Sequence, residues 1–337
     1  MPAIGENDRI VCQVHPSQQN REFMDVQAQV EAARTAALVI SIADRVTLVV
    51  TGRDRLTWLN GLVTCDLVRR FEGGARYGLF TARNGRVLAD AIVVVDGVRV
   101  LVSVPRSVAP MLREHLEHYI VMEDAELDAR TDAFEAWVVH GPRAADVLSA
   151  ARKGADEGAA AVGGVLDRTG LGGAVVFASR EHADATRSAL LTAVRALGGA
   201  YGDAAGWAAL RVERGVPEFG VDFDATTYPQ EAGLERVAVS FDKGCYLGQE
   251  VVCMLEMRGQ VRRKLAALVF DGPGELPSRG AIAADESGQA VGEVTSSVYS
   301  PTLGVPVGFA MLRRASAEPG ASVVVAGARA QVVERPA

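Results

Sequence analysis

Lysine is nearly missing from these 337 residues: only Lys153, Lys243 and Lys264 occur, and arginine supplies the rest of the 35 basic side chains. Acidic residues number 42, so the formal charge is −7 and the field of the whole molecule repels polyanions. Nucleic acid is disfavoured as the main ligand, and no stable nucleic-acid partner is expected. Cysteine is sparse too, and Cys12, Cys65, Cys245 and Cys253 show neither CxxC spacing nor a secreted disulfide pattern. They read as thiols of a reducing compartment. The five histidines add no paired spacing beyond His115 and His118 on a helix surface, so the clustered ligands of a zinc or iron-sulfur site are lacking and no metal is expected. No apolar run approaches the ~20 residues that span a bilayer, and the N-terminus lacks a basic region followed by an apolar core. A cytoplasmic protein without a membrane partner is the expectation.

The composition present, 49% hydrophobic and 23% charged, is that of an ordinary globular protein, and the length predicts two or three domains. Residues 1–25 are polar and aperiodic and read as a flexible N-terminal arm. Val26 to Leu38 has helical periodicity, Val46 to Val50 is a β-branched run, and Leu56, Leu59, Leu62 and Val63 return to helical spacing. Ala91 to Val95 and Val98 to Val104 are two strands joined by Asp96-Gly97, a two-residue hairpin signal. A helix follows with Val108, Met111, Leu112, Leu116 and Tyr119 on one face. The order restarts near residue 130: a strand at Glu135 to Val139, a helix from Arg143 to Ala151, an Ala/Gly-rich loop from Lys153 to Gly164, a strand at Ala174 to Ala178 and a helix from Glu181 to Leu197. From Lys264 onward short β runs alternate with Gly and Pro turns, which reads as a small β-barrel or sandwich. The predicted fold is α+β, with domains at 26–130, 131–263 and 264–337.

Lys243-Gly244-Cys245-Tyr246-Leu247-Gly248-Gln249-Glu250 places a thiol, a cation, an acid and an amide around two glycines. Either Lys243 favours the reactive thiolate of Cys245, or the segment is a loop around one buried free cysteine. Asn84-Gly85-Arg86-Val87-Leu88-Ala89-Asp90 is a turn entering an apolar strand. Asp90 is there a proton acceptor or ligand partner, or else a solvated aspartate beside a turn. In Tyr228-Pro229-Gln230-Glu231, the carboxylate offers two parallel acceptors that suit the adjacent N–H donors of a pterin or guanine edge; alternatively Glu231 is a surface glutamate opening a helix. Trp207, Leu210, Arg211 and Glu213 fall on a short helix before Gly215-Val216-Pro217. Arg258, Arg262, Arg263 and Lys264 form a basic cluster, a solvated face or a site for small anions.

The cysteine loop, together with Gly292-Glu293-Val294-Thr295-Ser296-Ser297 and Ser300-Pro301-Thr302-Leu303-Gly304, resembles the YgfZ-type folate-binding proteins, relatives of the glycine-cleavage T-protein, an aminomethyltransferase. The resemblance runs from about Val30 to the C-terminus. It implies two ferredoxin-like α+β domains around a central channel plus a C-terminal small β-barrel, with tetrahydrofolate in the channel. It further implies Glu231 on the pterin, Asp90 near the reactive nitrogens, Cys245 as a catalytic thiolate, and Lys243, Tyr246, Gln249, Arg262 and Arg263 as folate contacts, the two arginines on a polyglutamate tail. Where the T-protein carries two adjacent aspartates, this chain has Ala89-Asp90. The cysteine loop marks the YgfZ branch, which implies an accessory factor for maturation or repair of iron-sulfur proteins, with indirect effects on tRNA modification and iron-sulfur client or assembly proteins as partners. The alternatives are a folate-dependent aminomethyltransferase-like enzyme and a non-catalytic folate-binding scaffold or sensor.

Overall fold

A computed structural model describes residues 25–69, 74–128, 132–153 and 161–335. The arm expected at 1–25 lies outside the described residues except for Asp25, as do residues 154–160 of the Ala/Gly-rich stretch. Asp25 caps α1 (Val26–Thr35), its carboxylate accepting the Ala28 N–H at 2.8 Å. There follow β1 (Leu38–Ser41), β2 (Arg45–Thr51), α2 (Arg55–Asn60), β3 (Ala75–Thr81), β4 (Val87–Asp96), β5 (Arg99–Pro105), α3 (Ala109–Glu117) and β6 (Glu126–Asp128). The hairpin expected at Asp96-Gly97 is present, one residue further on: Asp96 pairs with Arg99, so the two loop residues are Gly97 and Val98, and Gly97 takes a φ of +49°. The next stretch holds β7 (Phe134–His140), α4 (Ala144–Lys153), β8 (Val162–Val165), β9 (Gly173–Ser179), α5 (Ala183–Ala196), β10 (Ala200–Tyr201) and α6 (Ala204–Glu213). Three short helices, α7 (Pro229–Ala232), α8 (Glu235–Ala238) and α9 (Gln249–Arg258), lead into β11 (Arg263–Phe270), β12 (Ile282–Ala284), β13 (Ala290–Tyr299), β14 (Pro306–Arg313), β15 (Ser322–Val325) and β16 (Ala328–Val333).

These strands form two five-stranded sheets, β3-β4-β5-β2-β6 and β10-β1-β7-β9-β8, and a closed barrel, β11-β14-β13-β12-β15-β16. The α+β class with a C-terminal barrel is therefore what the structure has. The two-residue period of a strand divides its side chains between layers. Leu48 and Val50 join the layer under α2 and α3 with Leu59 and Leu112, while Val49 faces the other way. In β1, Leu38 and Ile40 face that same inner layer, and Val39 turns to α4 and α5 with Val147 and Leu190. The inner layer, with Leu79, Ile92, Val175, Phe177 and Leu210, joins the two sheets into one core.

Two expectations change. The N-terminal segment does not stay with the first sheet: β1 pairs antiparallel with β7 and parallel with β10, so the second sheet borrows a strand from before β2. The run Ala36-Ala37-Leu38-Val39-Ile40 is buried on both faces, and such a strand has no alternation to betray it. The second change is that Val162 to Gly164, the end of the stretch read as a loop, belong to strand β8 on β9. Its glycines serve close approach rather than looseness, since a Cβ on Gly163 would lie 2.1 Å from the Val175 carbonyl oxygen.

The barrel is fastened to the α+β body by buried polar groups. Arg211 of α6 donates to Asp222 Oδ2 at 2.6 Å and to Ser296 Oγ of β13 at 2.8 Å. Asp222 also accepts from the Thr295 and Ser296 hydroxyls and the Glu218 N–H. Beside this, Glu213 accepts from the Ser300 hydroxyl and from the backbone and side chain of Thr302. Both barrel segments singled out in the sequence, 292–297 and 300–304, thus take part in docking the barrel.

Candidate functional site

A cavity of about 990 Å³ opens where the two sheets, the loops after α6 and the barrel meet. Strand β3 contributes Tyr77, the loop after α2 Cys65, the loop after β8 Leu166 to Arg168, the segments after α6 Arg214 to Pro217 and Gln230 to Ser240, and the barrel and its C-terminal end Lys264 to Ala267 and Glu334 to Arg335. Its size is at the upper end of the ~300–1,000 Å³ typical of small-molecule sites.

One wall is a stack built on β4. Arg45 Nη1 donates to Asp90 Oδ1 at 2.9 Å, and the Tyr77 hydroxyl donates to Asp90 Oδ2 at 3.0 Å. Asp90 is 2% exposed, which excludes the solvated alternative, and it does not itself line the cavity. It acts on that space through Tyr77, whose hydroxyl it holds and whose ring face carries the Arg168 guanidinium 3.9 Å from its centroid. Burial pushes the Tyr77 phenol upward, against the pull of Arg168. On the same wall burial raises the Cys65 thiol to about 12, although Lys243 works in the opposite direction.

Glu231 opens a helix, as one alternative expects, but it is buried rather than on the surface, and it lines the cavity. Its Oε2 accepts the Tyr228 N–H at 3.0 Å in a capping box at the start of α7. Arg263 reaches the same carboxylate, Nε to Oε1 at 3.1 Å and Nη2 to Oε2 at 3.4 Å. A ring edge reading Glu231 would have to share it with that arginine. Arg263 also donates to the Thr226 carbonyl at 3.0 Å, and Arg262 is exposed; neither lines the cavity, whereas Lys264 does.

The cysteine loop stands apart from this space. Lys243 is buried and donates to the carbonyls of Asn60, Val63 and Cys65, at 2.5, 2.7 and 2.9 Å. Desolvation lowers it to about 8, with Cys65 and Asp66 working in the opposite direction. The expectation that Lys243 activates Cys245 is therefore corrected. All three ammonium protons are spent on the 60–65 loop, and Cys245 is exposed on the outer surface, outside the cavity lining. The alternative of a buried free cysteine fails for the same reason.

The rest of the motif seats this loop. Tyr246 is buried under the Lys243 ammonium, 5.3 Å from its ring centroid, with its hydroxyl unpartnered. Gln249 Oε1 accepts the Tyr246 N–H at 3.3 Å. Gly248 takes a φ of +83°, and a Cβ there would meet the Ala82 carbonyl oxygen at 2.4 Å, so the loop packs directly on the turn before β4. The structure thus brings together Asp90, Tyr77, Arg168 and Glu231 around one space and leaves Lys243, Cys245, Tyr246 and Gln249 outside its lining. Tyr77, Arg45, Arg168 and Cys65 carried no sequence signal, because their meaning comes only from strand register and cross-loop contact.

Two α+β sheets sharing a core and closed by a barrel over a common cavity define a class of protein, and the comparisons agree with that architecture. Residues 12–243 match the GCVT N-terminal domain, and residues 263–337 match the glycine cleavage T-protein C-terminal barrel domain. The chain belongs to the glycine cleavage T-protein family. It is 28% identical over 320 residues to an aminomethyltransferase of Chlorobium phaeovibrioides, covering 90% of this chain and 87% of that protein. Against an aminomethyltransferase of Streptomyces coelicolor the identity is 29% over 306 residues, covering 86% and 82%. The fold is shared with the crystal structure of the glycine cleavage system aminomethyltransferase T from Bartonella henselae, at a TM-score of 0.78 and 21% identity over 92% of this chain and 89% of that one. No helix among the described residues is long and apolar enough to cross a membrane, and no group of metal-ligating side chains is found among them.

Proposed function

We propose that this chain binds tetrahydrofolate in the central cavity and uses it in one-carbon transfer of the aminomethyltransferase type. The observation that carries the reading is the cavity itself, bounded by both sheets and the barrel and walled by the Arg45–Asp90–Tyr77–Arg168 stack. The names of relatives spanning nearly the whole chain support it. The walls also suit a flat, polar-edged ligand. Gln230 Oε1, Glu235 Oε2 and Arg335 Nη1 belong to cavity-lining residues and are buried without a hydrogen-bond partner.

Tetrahydrofolate, when bound, supplies the nitrogens that accept the one-carbon unit. The chain's own residues do the positioning. Asp90 fixes the Tyr77 ring, the ring fixes Arg168, and the buried walls exclude water from the reacting groups. Burial raises the Glu235 carboxyl, which favours its protonated form relative to an exposed glutamate.

A second reading, a folate-binding accessory factor of the YgfZ type for iron-sulfur proteins in the cytoplasm, is favoured by the exposure of Cys245. A thiol on the outer face suits contact with a partner protein better than chemistry on a cavity ligand. Ala89 beside Asp90 also leaves one acid where the transferase pattern has two. One experiment separates the readings: incubation with tetrahydrofolate and an aminomethyl-loaded carrier protein, using wild type and Cys245→Ala. The transferase reading predicts methylene-tetrahydrofolate from both. Absence of product, with Cys245→Ala failing to restore iron-sulfur enzyme activity in a deletion strain, moves the assignment to the accessory role.

A further inference from the structure

Two loops that meet at the cavity exchange arginines. Arg168, in the loop after β8, donates through Nη2 to the Pro217 carbonyl at 3.3 Å. Arg214, at the end of α6, donates through Nε to the Thr169 carbonyl at 2.7 Å. Each guanidinium is thereby anchored by a single backbone bond and keeps most of its five N–H donors. Both side chains are half-buried, and both residues line the cavity. Among the described residues neither forms an ion pair with a carboxylate. The acids nearest in the chain are committed elsewhere: Asp167 accepts the N–H groups of Thr169, Gly170 and Gly172, Glu213 accepts from Ser300 and Thr302, and Glu218 lies 2.8 Å from Arg211 Nε. Arg168 is further fixed face-on to Tyr77, which leaves its donor edges to point in the plane of the guanidinium.

We infer that Arg168 and Arg214 form a carboxylate-binding subsite in the wall of the cavity. A half-buried guanidinium without an ionic partner costs desolvation that a ligand anion would offset, and two forks held by rigid loops match the planar geometry of a carboxylate. The carboxylate has two sources, the glutamate moiety of folate or the acid group of a second substrate. The first source rests on the folate reading above; the subsite itself does not.

The test measures binding of 5-formyltetrahydrofolate and of 5-formyltetrahydropteroate, which lacks the glutamate, to wild type and to Arg168→Gln and Arg214→Gln. Thermal protection by glutarate is measured on the same proteins. If folate supplies the carboxylate, each variant weakens the folate by about tenfold or more and the pteroate by less than about twofold. Arg168→Lys, which keeps the charge without the fork, recovers part of the loss. If a second substrate supplies it, folate binding is unchanged and protection by glutarate is lost in the variants. Equal weakening of folate and pteroate, or no change in any ligand, overturns the subsite. If wild type binds neither pterin, the folate reading fails by itself; glutarate protection lost in the variants still upholds the subsite, and no protection of wild type overturns it.

Discussion

Acidification from pH 7 to pH 4 is expected to destabilise the protein by ~3 kcal/mol through His140 alone. His140 ends β7, is 2% exposed, stacks on Trp207 with ring centroids 4.7 Å apart and planes 8° from parallel, and has no hydrogen-bond partner on either ring nitrogen. Burial, with the Arg168 charge adding to it and Asp167 opposing it, lowers its folded pKa from 6.5 to about 3. The unfolded chain therefore takes up a proton below pH 6.5 that the folded chain refuses until about pH 3. The contribution is intact above pH 6.5 and is lost as the pH falls through that window. His140→Phe keeps the stack on Trp207 and removes the titration. Urea unfolding at a series of pH values should show a shallower acid limb for the variant; parallel curves for the two proteins would refute the buried neutral imidazole.

Asp222→Ala is expected to cost about 3–5 kcal/mol in equilibrium unfolding, because it removes the fully buried partner of Arg211, leaving it only the partly exposed Glu218 carboxylate. Asp222 has a side chain 0% exposed, and Arg211 only 5%. The aspartate gathers donors from Arg211, Glu218, Thr295 and Ser296, so its loss also releases the barrel from α6. Replacing Arg211 and Asp222 together by Met and Leu removes both charges and should recover a large part of the loss. A single-variant cost below about 1 kcal/mol would mean that the network is weakly coupled to stability.

The parts of the fold that could be read in advance were those whose information is local. The Asp96-Gly97 turn, the β-branched run of β2, the apolar face of α3 and the alternation of the barrel strands all carry their cause within a few residues. The exchange of β1 into the second sheet could not be read, because a strand buried on both faces looks the same in either sheet. At the site, the helix opening at Glu231 has a local cue in Pro229, whereas the turn before Asp90 fits a solvated aspartate as well as a buried one. The Arg168 and Arg214 pair had no local cue: its anchors, Pro217 and Thr169, lie 49 and 45 residues away along the chain. The cysteine loop misled in an instructive way, since adjacency of Lys243 and Cys245 in sequence suggested one reactive unit. Three carbonyls of the 60–65 loop claim the lysine, and the two side chains part company.

A crystal structure of the protein with 5-formyltetrahydrofolate tests the assignment of the cavity as the folate site most directly. The predicted result is the pterin and its benzoyl group inside the space bounded by Tyr77, Arg168 and Glu231, with Cys245 remaining outside it. Folate bound on the outer face beside Cys245, or an empty cavity at saturating ligand, would contradict the account.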